Sequence, residues 1–238
     1  MKNWQTKLLK RFNKKSILPF EDEEDLIQQA VKHKSQWIGL DAGCGRRSNL
    51  GKSAAQQSLV IGIDRDWEAL LANNDIDVGI ICTLTDLPFK NEIFDVIHCG
   101  FVIEHLDEPG QVFKEYKRIT KPNGFLTIWT VNLMNYVMLA SKLTPTSFHN
   151  IFRKHILKTE HDNVPTYYRA NTPWKLEKML GRQGFEKQNS LLRGGAFWYF
   201  KFSRLTFFVS LLLDKFTDFG FLKNFRLFIL GIYKKVGQ

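Results

Sequence analysis

The chain has 238 residues, room for one domain with appendages or two small ones, which excludes a peptide-sized scaffold. With 44% apolar and 24% charged residues it is neither disordered nor collagen-like, and its net charge of +10 suits a polyanion, whether nucleic acid or an anionic membrane face. Three cysteines, Cys44, Cys82 and Cys99, form no CxxC pair, so neither a disulfide framework nor a cysteine-rich zinc site is indicated and a reducing, cytoplasmic setting fits.

Residues 1–35 read as a basic lead-in with a helix. Lys2, Lys7, Lys10, Arg11, Lys14 and Lys15 stand among scattered apolar residues without the apolar run of a signal peptide. An acidic block, Glu21 to Asp25, precedes Leu26, Ile27, Ala30 and Val31, whose spacing is helical. Residues 36–238 read as a single domain.

From Trp37 the pattern becomes short apolar runs: WIGLDAGCG, SLVIGIDRD, VGIICTLTD, FDVIHCG and GFLTIWTVN. Each has the length of a buried strand, and helix-length segments such as Trp67 to Asn73 and Glu108 to Thr120 lie between them. Alternating strand and helix predicts an α/β, doubly wound and mostly parallel sheet. After Asn132 strand character is lost until a helix at Thr172 to Gly184, with Thr172 as N-cap, Pro173 at N1 and Gly184 as the stop. A final strand pair is expected at Phe185 to Leu192 and Phe225 to Tyr233. Insertions at 132–171 and 194–224 exceed what a minimal domain needs.

The first run ends in Asp41-Ala42-Gly43-Cys44-Gly45 and the second in Gly62-Ile63-Asp64. Glycines at a strand-to-helix turn let backbone approach a ligand closely, and a carboxylate at the next strand end takes both hydroxyls of a ribose. Asp86-Leu87-Pro88-Phe89, Phe94-Asp95-Val96-Ile97, Glu104-His105-Leu106 and Lys121-Pro122-Asn123-Gly124 follow in order. With these motifs the chain resembles the class I S-adenosylmethionine-dependent methyltransferases, type 11 subgroup, strongly over residues 37–132 and more loosely over 172–192.

The resemblance implies a Rossmann-like fold and S-adenosylmethionine as cofactor. It makes Asp41, Gly43 and Gly45 the loop around the methionine portion, Asp64 the ribose ligand, and Asp86 with Leu87 the adenine contact. Two positions depart from the pattern. Arg47 stands where a third glycine is usual, with Gly51 as a candidate replacement, and Arg65 stands where an apolar residue often covers the adenine.

Methyl transfer is an in-line displacement, needing reacting atoms about 3–3.5 Å apart and a nucleophile freed of its proton. Cys99-Gly100-Phe101-Val102 is not the Asn/Asp-Pro-Pro-aromatic signature of amine and amide methylation, so an oxygen or carbon acceptor is expected. His105 is the candidate base, an imidazole ordinarily titrating near pH ~6.5; the alternative is that Glu104-His105 only organises the loop. Tyr167, Tyr168 and Arg169 are candidates to line the acceptor pocket, against a reading as helix cap and packing. His149, His155 and His161 recur every six residues, which turns successive rings to different sides of a helix, so no metal site is expected.

Ten of the twenty phenylalanines and seven basic residues against two acidic ones lie in the last 43 residues. The run Leu205 to Leu213 is too short for the ~20 apolar residues that span a bilayer. It is apolar all round, which means burial in protein, a subunit interface or lipid. Flanking Lys, Arg, Trp198 and Tyr199 favour a membrane interface. The leading expectation is methyl transfer to a small lipophilic or lipid-linked acceptor at the inner face of the cell membrane. RNA methylation is the first rival, although a phenylalanine-rich block reads more like lipid or core than a base-stacking groove, and nucleic acid is therefore not expected as a partner. The second rival is a non-catalytic membrane-associated scaffold of the same fold.

Overall fold

The computed structural model describes residues 3–11, 19–54, 58–143 and 164–237. His149, His155 and His161, with residues 144–163 of the 132–171 insertion, lie outside them.

The apolar runs form one seven-stranded sheet. Its strands are β1 (Ile38–Ala42), β2 (Leu59–Asp64), β3 (Val78–Ile81), β4 (Phe94–Gly100), β5 (Thr120–Val131), β6 (Phe185–Arg193) and β7 (Phe228–Lys235), in the order β3-β2-β1-β4-β5-β7-β6. The pairs β1–β2, β1–β4, β2–β3 and β4–β5 are parallel, with Asp41 beside Gly62 on one side and His98 on the other. β7 runs antiparallel to both neighbours. At one end Val236 N–H donates to Gly184 O and Lys235 Nζ to Thr120 O; at the other Arg226 Nη1 donates to Leu192 O and Asn132 N–H to Leu227 O. The mostly parallel α/β sheet is therefore as expected.

The third run yields only the four residues of β3, because this strand lies at the sheet edge, pairs only with β2 and is largely exposed. β5 begins at Thr120, ahead of the expected Gly124, with a register irregularity opposite Phe94–Val96.

The helices are α1 (Asn3–Arg11), α2 (Pro19–Val31), α3 (Asn49–Lys52), α4 (Trp67–Leu71), α5 (Pro109–Ile119), α6 (Tyr136–Leu143), α7 (Pro173–Arg182) and α8 (Arg204–Phe216). α7 starts at Pro173 and stops before Gly184 at φ +77°, as its sequence signals require, but the Thr172 side chain makes no cap hydrogen bond. α3 packs on β1 and α4 on β2, while α5 meets α7.

By its contacts the chain forms two compact units. One comprises residues 20–130, 166–191 and 230–238 and carries most of the sheet. Its core is Leu26, Ile27, Leu40, Ile63, Phe94, Ile97, Phe113, Tyr116, Leu126 and Leu176, all essentially buried. Asp95, at the start of β4, ties this unit's strand beginnings together. Its carboxylate accepts from Ile38 N–H and pairs with Lys34 and Lys121.

The other unit comprises residues 1–19, 131–165 and 192–229. Its core joins Leu9 to Phe197, Phe207 and Leu211, with Trp4, Leu8 and Trp198 packed around them. Trp4 meets Phe207 edge-to-face at 5.2 Å, and Asn132 and Asn135 donate to backbone carbonyls at Asn224, Phe225 and Arg226.

Candidate active site

In a sheet of this order the strands turn outward in opposite directions at β1 and β4, and a crevice opens at their carboxyl ends. A cavity of about 220 Å³ lies there, lined by Glu23, Asp41, Gly43, Cys44, Arg47, Asn49, His98, Gly100, Phe101 and Trp129. All of these belong to the unit that carries the sheet.

The loop after β1 is held open by its glycines. Gly43 has φ +76°, and a Cβ there would come within 2.4 Å of Val102. Gly45 has φ +54° and open space where a Cβ would stand. Gly45 N–H donates to Asp64 Oδ2 at 2.8 Å, so loop and carboxylate are joined, and Asp66 N–H fixes the other oxygen. Asp64 is half-buried and retains lone pairs for a diol. The bare glycine backbone beside a fixed carboxylate fits a ribose with a short aliphatic arm, and the cavity beyond fits an amino-acid end.

Gly51 sits in α3, where a Cβ would lie 1.7 Å from Asp75 O. It serves close helix packing, with Ser48 Oγ capping α3 through Gly51 N–H. Arg47 is exposed on the cavity rim, and Arg65 is exposed beside Asp64.

The cavity floor is charged. Asp41 is buried, accepts from Ser48 Oγ, and has its carboxyl pushed up, chiefly by burial, against the opposing pull of His98 and Ser48. His98 lies beside it in register. Its Nε2 is 3.0 Å from Glu23 Oε1 and its Nδ1 3.0 Å from Thr127 Oγ1, while the Thr127 hydroxyl donates to Ile97 O. Both ring nitrogens therefore face acceptors, which calls for an imidazolium. Burial opposes that charge, yet the Glu23 hydrogen bond and the nearby carboxylates outweigh it and raise the pKa. Glu23 Oε2 accepts from Asn49 Nδ2 at 2.7 Å, which ties α2 to the segment after β1.

One wall is aromatic. Phe101 adopts φ +57°, a left-handed conformation costly for a bulky residue, held by Phe101 N–H donating to Trp129 O at 2.7 Å. The two rings lie 4.4 Å apart. Burial pushes the Cys44 and Cys99 thiols up to about 12, so neither is a ready nucleophile.

The other sequence candidates fall in two places. His105 ends a 3-10 turn (Ile103–His105) after β4 and is half-buried. Glu104 beside it is buried, accepts from Thr130 Oγ1 at 2.7 Å and has its carboxyl raised by burial. The Glu104 carbonyl accepts from Tyr167 and Tyr168 N–H at 2.8 and 3.2 Å. Arg169 pairs with Asp107 at 2.5 Å and stacks over the Tyr167 ring, and Tyr168 has φ +52°. The structure thus brings Tyr167, Tyr168 and Arg169 to the His105 turn, and Glu104 organises that turn. Neither group lines the cavity itself.

Asp86 and Leu87 also lie apart from the lining. Asp86 is exposed; Leu87 is buried, its N–H held by Glu115 and its carbonyl by Arg118. Among the described residues no group of three or more side chains is arranged to hold a metal ion.

Sequence reasoning missed Glu23, Arg47, Asn49, His98, Phe101 and Trp129 as lining residues. Two left a signal. His98 is a polar residue inside an apolar strand run, and Glu23 falls three and four residues before Leu26 and Ile27, on the apolar face of its helix.

Residues 40–128 match the family described as a methyltransferase domain. An uncharacterized protein of Methanocaldococcus jannaschii is 29% identical over 118 residues, 47% of this chain and 55% of that protein. The chain thus spans about half the length of that relative. A ubiquinone biosynthesis O-methyltransferase of Rickettsia canadensis is 26% identical over 172 residues, 68% of this chain and 70% of that protein. Among solved structures, the geranyl diphosphate C-methyltransferase of Streptomyces coelicolor superposes with a TM-score of 0.58 at 14% identity, covering 91% of this chain and 76% of that one. This last likeness is one of fold.

Proposed function

We propose that the chain, whose residues 40–128 match a methyltransferase-domain family, transfers a methyl group from S-adenosylmethionine to oxygen or carbon of a small lipophilic or lipid-linked acceptor at the cytoplasmic membrane surface. The observation that carries this reading is the β1–β4 cavity, with an anionic floor of Asp41 and Glu23 and a wall of Phe101 and Trp129. The relative named for ubiquinone biosynthesis supports the choice of acceptor class. The insertions at 132–171 and 194–224 are read as elaborations of one methyltransferase domain.

The bound cofactor supplies an electrophilic methyl group on a sulfonium. Asp41, Gly43 and Gly45 hold its methionine portion, Asp64 takes the ribose hydroxyls, and Asp86 beside the fixed Leu87 backbone takes the adenine. Burying Asp41 and Glu23 around a single imidazolium leaves the floor seeking a cation, which an α-ammonium satisfies. His105 takes the proton of an acceptor hydroxyl, and Tyr167, Tyr168 and Arg169 hold the acceptor against the turn that Glu104 shapes. Phe101 and Trp129 would give the bound cofactor an apolar wall.

Incubation of the purified chain with methyl-tritiated S-adenosylmethionine and prenylated catechols is the test. Label entering the organic phase, and falling at least about a hundredfold on His105→Ala, supports the reading. Transfer to RNA and not to the prenylated catechols would contradict it.

A further inference from the structure

Helix α8 has a mixed face turned inward and an apolar face turned outward. Its inward line is Phe207, Ser210, Leu211 and Asp214, all buried. Phe207 and Leu211 join the Leu9–Phe197 cluster, while Asp214 Oδ2 accepts from Gly195 N–H at 3.0 Å. A roll of the helix would expose those rings and strip a buried carboxylate of its donor, so the orientation is fixed.

The opposite line is then turned outward: Leu205, Val209, Leu212, Leu213 and Phe216, at 71, 44, 44, 42 and 61% exposure. Phe219, just before the 3-10 turn Gly220–Phe225, and Phe221 within it extend the stripe at 66 and 76%. Side chains of this size seldom stand free in a row unless something covers them.

The charges say what covers them. Of the two carboxylates of this segment, Asp214 is buried and Asp218 is neutralised at the surface by its ion pair with Arg226. The exposed charged residues around the stripe are Lys201, Arg204, Lys215 and Lys223, all cationic. A second copy of a +10 chain would bring like charges together across the contact. An anionic bilayer supplies both an apolar layer and negative headgroups. A helix of 13 residues, about 20 Å long, lies along such a surface rather than across it, and no described helix is long and apolar enough to cross a membrane.

We propose that the outward face of α8, together with the turn Gly220–Phe225, docks on an anionic lipid bilayer. This rests on the reading of a membrane-surface enzyme with a lipophilic acceptor and gives that reading its contact surface.

The test is co-sedimentation of the full chain with vesicles of phosphatidylcholine alone or mixed three-to-one with phosphatidylglycerol. The expected result is binding to the anionic vesicles at least about tenfold tighter than to the neutral ones, weakening as salt is added. Leu205→Ser with Phe216→Ser and Phe221→Ser should abolish it, and Lys201→Glu with Lys223→Glu should remove the anionic preference. Unchanged titration by S-adenosylhomocysteine shows that each variant remains folded. Equal indifference to both vesicles, or a dimer that the serine variant converts to monomer without any vesicle binding, would overturn the proposal. Cofactor binding without vesicle binding sinks this inference alone; vesicle binding without cofactor binding sinks the methyltransferase reading alone.

Discussion

Asp41 shows how the site is bought at the expense of stability. Its carboxylate sits buried at the end of β1, where burial pushes its pKa up although Ser48 and His98 oppose that shift. A raised acid pKa means that ionisation costs the fold at neutral pH. Asp41→Asn keeps an acceptor for Ser48 and removes the buried charge, so the melting temperature should rise by a few degrees while affinity for S-adenosylhomocysteine falls at least about tenfold. Thermal melts and calorimetry on the same preparation check both halves; a variant that melts lower would mean that His98 stabilises Asp41 more than burial penalises it. Strand-end glycines and carboxylates are local signals, which is why Asp41 and Gly43, both on the cavity, could be singled out from the sequence. Glu23 and His98 were not legible as a pair, since their partnership spans the chain and exists only once α2 lies over β4.

At the scale of the element, strands were read from short apolar runs ending in glycine or aspartate, and this worked best where a strand is buried on both faces, as β4 is. It overextended β3, an exposed edge strand, for which apolar length is a poor guide to pairing. α8 was legible as apolar all round, but its division into a buried and an exposed face depends on Asp214, whose partner Gly195 lies outside the helix. Burial raises the Asp214 pKa to about 6, against the N–H groups of Gly195, Phe197 and Ala196 and the charge of Arg226. The acid's unfolded value lies near 3.8, so its contribution is fully present below that value and is lost as pH rises through about 6. The unit holding α8 should therefore become more stable as pH falls from 7 to about 5, and Asp214→Asn should flatten that dependence. Hydrogen exchange at the α8 amides as a function of pH reads this; equal slopes in both proteins would contradict it.

Over the whole molecule, charge and apolar surface are distributed by unit. The unit with most of the sheet carries the cavity, with its buried acids and aromatic wall. The other collects the phenylalanines and the outward stripe of α8. Composition alone left nucleic acid and membrane open as partners of a +10 chain. The burial of Asp214 and the pairing of Asp218 with Arg226 are what favour lipid, and no sequence pattern displays that.

The central claim is a cofactor-binding methyltransferase site at the β1–β4 crevice, and calorimetric titration of the full chain with S-adenosylhomocysteine tests it most directly. The account predicts one site with about micromolar affinity, weakened at least about a hundredfold by Asp64→Ala, which would lose both proposed ribose contacts. An absence of binding, or equal binding by the Asp64→Ala variant, would contradict it.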